Sequence, residues 1–433
     1  MISSLKLFFI VIDGMADLPI EELGDKTPLE AAITPNMDFL ANTGVTGLMY
    51  SVEEGVAPES DAAVVSILGY DPFKYDVRRG VLEALGANLS MKEGDLALRC
   101  NFATLSPGNK IVDRRVGRNL TFEEATELAE TINEKVKLES HSASFQFKNT
   151  KGHRGALIIK SREKLLSGNI SNTDPAYDRV KGVNVAKSKV EMLLKKCMPL
   201  ERTEEAKISA ELINEFTRKS MAILDKHEIN KKRVTEGNLK ANVILMRGAG
   251  HHLPKFPQLK QQYGLSFACL TRMPVEKGIS KLAGMQVINL PPSSNSLLMD
   301  CKIRLTKLLE EEPYYDCFYI HIKGPDEPGH DGDFNQKKEL ITVIDNYFVG
   351  RLLQKISLQD NIVCITSDHS TPCKLKVHSE DPVPLLIAGD KIQNDEVKKF
   401  SERDCKKGRL GILSKGTELM PKLIKMIKNE RVD

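Results

Sequence analysis

Three apolar runs in this chain end directly in residues that can do chemistry. In IVCITSDHSTPCKLKVH, Ile362 to Thr366 has the β-branched composition of a buried strand and leads into Asp368-His369, with His378 nine residues further on. Phe318 to Ile322 leads into Lys323-Gly324-Pro325-Asp326-Glu327-Pro328-Gly329-His330. Proline and glycine argue against regular helix there, so Asp326 and His330 are expected on a folded loop. Leu7 to Ile12 ends in Asp13-Gly14. Open α/β sheets place their chemistry just outside the carboxyl ends of strands, where an adjacent carboxylate and imidazole can serve two neighbouring metal ions. The mixed oxygen and imidazole set suits manganese, zinc or magnesium better than copper. Ser60 precedes the apolar stretch Ala62 to Leu68, a predicted helix ending near Gly69. At that helix's N-terminus Ser60 or Asp61 is either a cap or, for Ser60, a nucleophile activated by a cation and favoured by the helix dipole.

The elements that must carry these residues are those of an α/β protein. Leu7–Ile12 reads as a strand buried on both faces, Ile362–Thr366 as a buried strand, and Phe318–Ile322 and Pro384–Ile387 as further strands. Thr34-Pro35 opens a helix that Gly44 closes, with Thr34 expected as its cap. Leu340, Ile344, Tyr347, Phe348 and Leu352 mark a packing helix. The 433 residues suffice for two or three domains and a large core. With 62 Lys+Arg against 59 Asp+Glu, charge is nearly balanced and gives no field for nucleic acid or membrane binding. No apolar run reaches transmembrane length, and Leu7–Ile12 is too short for a signal core. The eight cysteines form no C-x-x-C pair, which points to reduced thiols in a cytoplasm.

From about Asn88 the texture changes. Thr121 to Glu124 is a capping box, Ser142–Phe147 and Ala156–Lys160 read as strands, and Glu204 to His227 reads as one long amphipathic helix. Residues 89–239 are expected to form an inserted α+β domain, with 1–88 and 240–433 the two parts of the metal-binding domain. Arg99, Arg114, Arg115, Arg118, His153 and Arg154 stand in loop-like settings there and could hold a phosphate and a carboxylate. His251-His252 lacks a neighbouring carboxylate in sequence and reads as a loop.

The segments FFIVIDGMAD, SDAAVVSILGYDP, NFATL with DRRVGR, IHIKGPDEPGHDGD and ITSDHSTPCKLKVHSEDPVP together resemble the archaeal-type cofactor-independent phosphoglycerate mutases of the alkaline phosphatase superfamily, over nearly the whole chain. The resemblance implies an alkaline-phosphatase-like core with a mostly parallel sheet flanked by helices. It implies one metal site from Asp13, Ser60, Asp368 and His369 and a second from Asp326, His330 and His378. It places Arg99, Asn101, Arg114, Arg118, His153, Arg154 and Lys323 near substrate. The expected cofactors are two divalent ions, manganese first, with zinc, cobalt or magnesium as alternatives, and no 2,3-bisphosphoglycerate. The expected partner is a small phosphoglycerate, with no nucleic acid or membrane. The implied reaction interconverts 2- and 3-phosphoglycerate in glycolysis and gluconeogenesis through a phosphoserine at Ser60. The alternatives are another metal-dependent phosphomonoesterase or phosphotransferase of the superfamily and, from a different class, a binding protein with a decayed site. Two departures stand out. Glu59 occupies the position before the serine where the family usually has glycine, and Pro291 to Asn295 replaces a glycine-rich segment.

Overall fold

The strongest apolar runs of the sequence pair with one another. In the computed structural model, which describes residues 5–180, 183–186, 191–291 and 296–428, Lys6–Ile12 is the centre of an eight-stranded sheet. Pro292 to Asn295, part of the departure noted above, lie outside the described residues. Cys317–Ile322 and Asn361–Thr366 flank the central strand, both parallel to it, with Ile12 opposite Ile322 and Val11 opposite Thr366. The sheet continues through Phe267–Leu270 to Gln286–Val287 on one side. On the other it continues through Val383–Ala388 and Val45–Met49 to Ile412–Leu413. Val383–Ala388 runs antiparallel to both its neighbours; the remaining pairings are parallel. This is the expected α/β arrangement of a mostly parallel sheet covered by helices. The three central strands are buried almost throughout, as their unbroken apolar sequence requires.

Two helices depart from expectation for identifiable reasons. Pro35–Thr43 has Thr34 at its N-cap, but the Thr34 side chain caps nothing. The carboxylate of Asp345 does so instead, accepting from the Asn36 and Met37 amides at 3.3 and 2.8 Å. Asp345 can reach because the expected helix around Leu340 to Leu352 is broken into Phe334–Ile344, a π-turn Asp345–Val349, and Gly350–Leu353.

The described contacts divide the chain into two compact units, one of Met1–Tyr75, Lys255–Arg272 and Ile279–Asp433, the other of Asp76–Pro254 and Met273–Gly278. In the second unit Leu96–Ser106 pairs antiparallel with Lys110–Asp113, Arg154–Ser161 and Val243–Gly250, and Ala143–Lys151 extends the sheet. Limits drawn at 89 and 239 would leave out the helix Arg79–Gly86 and the strand Val243–Gly250, both of which pack on Leu96–Ser106. Phe122–Lys135 has the capping box read from Thr121 and Glu124. The long amphipathic helix ends at Leu224, three residues early, because the His227 ring caps a further helix, Glu228–Thr235. All eight cysteines are free and buried, and among the described residues no helix is long and apolar enough to cross a membrane.

The segments leaving the central strands are tied by buried polar groups. Lys337, with a fully buried side chain, donates to Asp17 Oδ2 at 2.7 Å and to the carbonyls of Ala16 and Thr371 at 3.0 and 2.9 Å. Asp17 in turn accepts from the Cys373 amide. One ammonium thus joins the turn after Ile12 to the turn after Thr366. Lys337→Met would strand a buried carboxylate, and equilibrium denaturation should show a loss of roughly 3–5 kcal/mol. Glu402 accepts from the Asp17 amide and the Thr27 hydroxyl, and burial pushes its carboxyl up from 4.5 to about 7. The folded state therefore binds this proton more tightly than the unfolded chain. Its stabilising contribution is complete below the unfolded value and is lost as pH rises through about 7. Glu402→Gln should flatten that fall, as read from unfolding midpoints at about pH 5 and pH 8.

Candidate active site

Parallel register decides what meets at the sheet's carboxyl edge. Asp13 follows Ile12 directly, Lys323 follows Ile322, and Asp368 lies two residues past Thr366, so the three converge. Lys323 Nζ donates to Asp13 Oδ1 at 2.8 Å. Asp368 is fully buried; its Oδ1 accepts from the Gly14 and His369 amides, both at 3.1 Å, while its Oδ2 has no hydrogen-bond partner. His369 Nε2 lies 3.4 Å from that Oδ2, 3.6 Å from Asp13 Oδ1 and 3.2 Å from Ser60 Oγ. Ser60 is the first residue of the helix Ser60–Ile67, with Glu59 at its N-cap. Neither Ser60 nor Asp61 occupies the cap position, so the reading of Ser60 as a cap is set aside.

Asp326 and His330 are not on an irregular loop. Asp326–Asp331 is a short α-helix closed by Gly332 in the left-handed conformation, φ 81°. Pro328 is its third residue, where the amide has no partner within the helix, so proline costs no hydrogen bond. The four-residue spacing places both side chains on one face. Asp326 Oδ1 lies 3.4 Å from His330 Nε2 and 3.4 Å from His378 Nε2, and the two imidazoles meet at 3.2 Å. His378 stacks on His369 with ring centres 3.7 Å apart, and its Nδ1 faces the Pro58 carbonyl at 2.8 Å. All seven residues singled out from sequence are thereby brought together.

The electrostatics show what this arrangement lacks. Burial pushes the Asp368 carboxyl well above its ordinary range, and the negative charge of Asp13 pushes it further. Burial also raises Asp13, but Lys323 and the His321 and His369 rings outweigh it and hold that carboxyl low. Burial, then the charge of His378, lowers His369 to about 3. A neutral ring, two buried carboxylates and an oxygen without a partner are the donor set of a divalent cation. The ligand atoms of Asp13, His321 and Asp368 lie within 4.8 Å of one another, as do those of Asp326, His369 and His378. His321 was missed in sequence. The available signal was one imidazole inside an otherwise apolar strand, FYIHI.

In the second unit Arg99 and Asn101 are buried on one face of Leu96–Ser106, opposite Arg247 and Arg154 respectively. Glu83 sits 3.5 Å from Arg99 and 3.6 Å from Arg79. Burial, then the charges of Arg247 and Arg79, holds the Arg99 guanidinium low, and burial with Arg154 lowers His153 to about 3. Arg99 Nε and Arg247 Nε are buried donors without hydrogen-bond partners. Such a cluster fits an anion. Arg114 is committed differently, clasping Asp174 through two bonds of 2.9 and 2.6 Å. Arg118 is exposed, in a run of left-handed backbone at Val116, Gly117 and Arg118 with φ of 53, 64 and 57°. Arg79, Arg247 and Tyr177, whose ring lies 3.6 Å from the Arg247 guanidinium, were not singled out from sequence. Arg247 follows an apolar run and reads there as part of a plain strand. His252 does find a carboxylate, that of Glu93, distant in sequence.

Residues 41–230 match the family model for 2,3-bisphosphoglycerate-independent phosphoglycerate mutase. The enzyme of that name from Aeropyrum pernix is 43% identical over 98% of this chain and 100% of its own length. Its namesake from Methanosphaera stadtmanae is 38% identical over 96% of both chains. Among solved structures, the cofactor-independent phosphoglycerate mutase from Thermoplasma acidophilum is 30% identical, with a TM-score of 0.64 over 98% of this chain and 100% of its own. A Pyrococcus horikoshii protein is 31% identical, with a TM-score of 0.78 over 100% and 99%. With identity of this order sustained from end to end, and the strand-end residues assembled as described, the chain belongs to the 2,3-bisphosphoglycerate-independent phosphoglycerate mutase family.

Proposed function

We propose that this chain interconverts 2-phosphoglycerate and 3-phosphoglycerate through a phosphoserine at Ser60, acting in the cytoplasm on a small phosphorylated substrate. The observation that carries the reading is Ser60 Oγ, at a helix N-terminus and 3.2 Å from His369 Nε2 beside the buried Asp13–Asp368 pair. Asp13, Ser60, Asp368 and His369 would hold one divalent ion, and Asp326, His330 and His378 a second, with manganese the first choice. Bound there, the ions would supply positive charge to the Ser60 oxygen and to the phosphoryl oxygens.

The chain's own groups account for the remaining steps. Ser60 gives up its hydroxyl proton as Oγ attacks phosphorus; the Oγ–P bond forms and the bond from phosphorus to the glycerate oxygen breaks. That oxygen takes up a proton and glycerate is retained. Its other hydroxyl then attacks the same phosphorus, gives up its proton, and Ser60 Oγ leaves. The helix N-terminus favours the serine oxygen while it carries negative charge. Lys323, Arg99, Asn101, Arg114, Arg118, His153 and Arg154 are the proposed substrate-binding residues; Arg247 and Arg79 join them on the charge they add around Arg99. No 2,3-bisphosphoglycerate is needed, since the phosphoryl group waits on the protein.

Two outcomes test the reading. Purified protein given 3-phosphoglycerate and manganese should form 2-phosphoglycerate, and protein quenched in turnover should carry phosphate on the Ser60 peptide. Ser60→Ala should lose several orders of magnitude in rate. Release of free phosphate and glycerate instead would assign the chain to the phosphomonoesterases. The metal site has a separate readout. Chelation should lower the melting temperature and manganese restore it, because a ligand bound only by the folded state stabilises it. Asp368→Asn removes a carboxyl that burial and the charge of Asp13 make costly to ionise, so it should raise the melting temperature of chelated protein while shrinking the manganese-induced shift. A variant that melts lower in chelator yet keeps the full shift would remove Asp368 from the site.

A further inference from the structure

His321 is grouped by distance with Asp13 and Asp368, yet the reaction proposed above gives it no part, and it is fully buried under the site. It lies on Cys317–Ile322 opposite Val11, which pairs on its other side with Thr366. The ring therefore sits one step inside the sheet from the ends that carry Asp13 and Asp368. Nδ1 meets the Tyr319 hydroxyl at 2.6 Å. Nε2 lies 3.7 Å from Asp13 Oδ1 and 3.7 Å from Asp368 Oδ2, the two oxygens that also face His369 Nε2. His321 Nε2 and Asp368 Oδ2 are both buried with no hydrogen-bond partner. With Asp13 and Asp368 both ionised, as they would be around a bound cation, a bare ring lone pair facing the two carboxylate oxygens is repulsive. With the Tyr319 hydroxyl donating to Nδ1, the ring proton sits on Nε2 and points at both oxygens. A shift of about half an ångström would close either contact to hydrogen-bond length.

We propose that His321, oriented by Tyr319, is a positioning residue of the metal centre: its Nε2–H braces Asp13 and Asp368 from beneath, so that their free lone pairs converge on one cation. The proposal rests on the reading that these two aspartates hold a cation. Asp368 Oδ2 has two lone-pair directions, so one can accept from His321 while the other faces the ion; Asp13 Oδ1 already accepts from Lys323, so with His321 as its second donor Asp13 faces the ion through Oδ2. Partners of this kind, behind the ligands, fix ligand orientation, and their loss typically weakens metal binding about 10–100-fold. The like charges of Asp13 and Asp368 make the brace more important here, since without it the two carboxylates are free to turn apart.

The test is calorimetric titration of manganese into the chelated full-length chain, for wild type, His321→Leu, His321→Gln and Tyr319→Phe. Leucine should weaken one of the two binding events about 10–100-fold and leave the other unchanged. Glutamine, which keeps an N–H donor near the Nε2 position, should recover most of that loss, a recovery that simple filling of space would not give. Tyr319→Phe keeps the volume, frees the ring to turn, and should weaken the same event; it carries the test if neither His321 variant folds. Wild-type affinity at both sites in His321→Leu, or in Tyr319→Phe where the histidine variants do not fold, would overturn the proposal. Pulsed electron paramagnetic resonance on manganese-loaded protein adds a second check. If His321→Gln loses an imidazole nitrogen coupled to manganese, His321 is a direct ligand and the bracing role is wrong. Wild-type protein that binds no manganese would instead defeat the metal reading on which the proposal stands.

Discussion

Two carboxylates buried side by side, Asp13 and Asp368, set the terms for the rest of this molecule. Like charges in a low-dielectric setting cannot both ionise without compensation, and burial acts against each of them separately. The fold supplies partial compensation only. Lys323 reaches Asp13, two amides reach one oxygen of Asp368, and the other oxygen of Asp368 has no hydrogen-bond donor. A site left in that state by a well-packed sheet is completed by a cation. The instability is local, while the framework that enforces it is spread over three strands whose side chains are buried almost throughout.

That framework explains why the site can be assembled from residues more than 350 positions apart. Parallel strands end on the same edge of a sheet, and hydrogen-bonded register fixes which residues lie abreast there. Shifting any of the three by one residue would turn its strand-end side chain to the other face. The Lys337 ammonium and the Ser367 hydroxyl guard against such slippage beyond the strand ends. Ser367 Oγ donates towards the Ile12 and His369 carbonyls, at 2.8 Å each, and accepts from the Met15 amide at 3.0 Å. Tight turns and buried polar ties thus carry the register from the sheet into the site.

This division also decides what was legible in the sequence. Asp13, Asp368 and His369 were readable because each follows an unbroken apolar run, which announces a buried strand and marks its end. His321 was not, since a polar residue inside such a run gives no sign of which face it takes or what lies beneath its neighbours. The helix at Asp326 was obscured because two prolines and a glycine look prohibitive until their positions in the first turn are known. The arginines show the same limit. Arg99 was readable as one basic residue among several, but its partners Arg247 and Arg79 come from a strand and a helix that only tertiary pairing brings to it. Arg114, which looked equivalent in sequence, is engaged with Asp174.

Glu59 brings backbone and charge into the same argument. The glycine usual at this position in the family suggests a conformation closed to other residues. Here φ is −78° and ψ 156°, extended backbone open to any side chain, and the helix beginning at Ser60 is intact. The glutamate therefore imposes no backbone strain on Ser60, and its consequence is electrostatic. It is exposed, so solvent screens much of its charge, and it makes no capping bond to the helix. At His378 burial lowers the proton affinity, and the bond and charge of Asp326, with a smaller contribution from Glu59, outweigh burial and raise it. His378 belongs to the more open group with Asp326 and His330, and the buried Asp13–Asp368 pair takes its charge balance from Lys323 and its own neighbours. The substitution thus leaves the backbone at Ser60 unstrained and adds its charge beside His378.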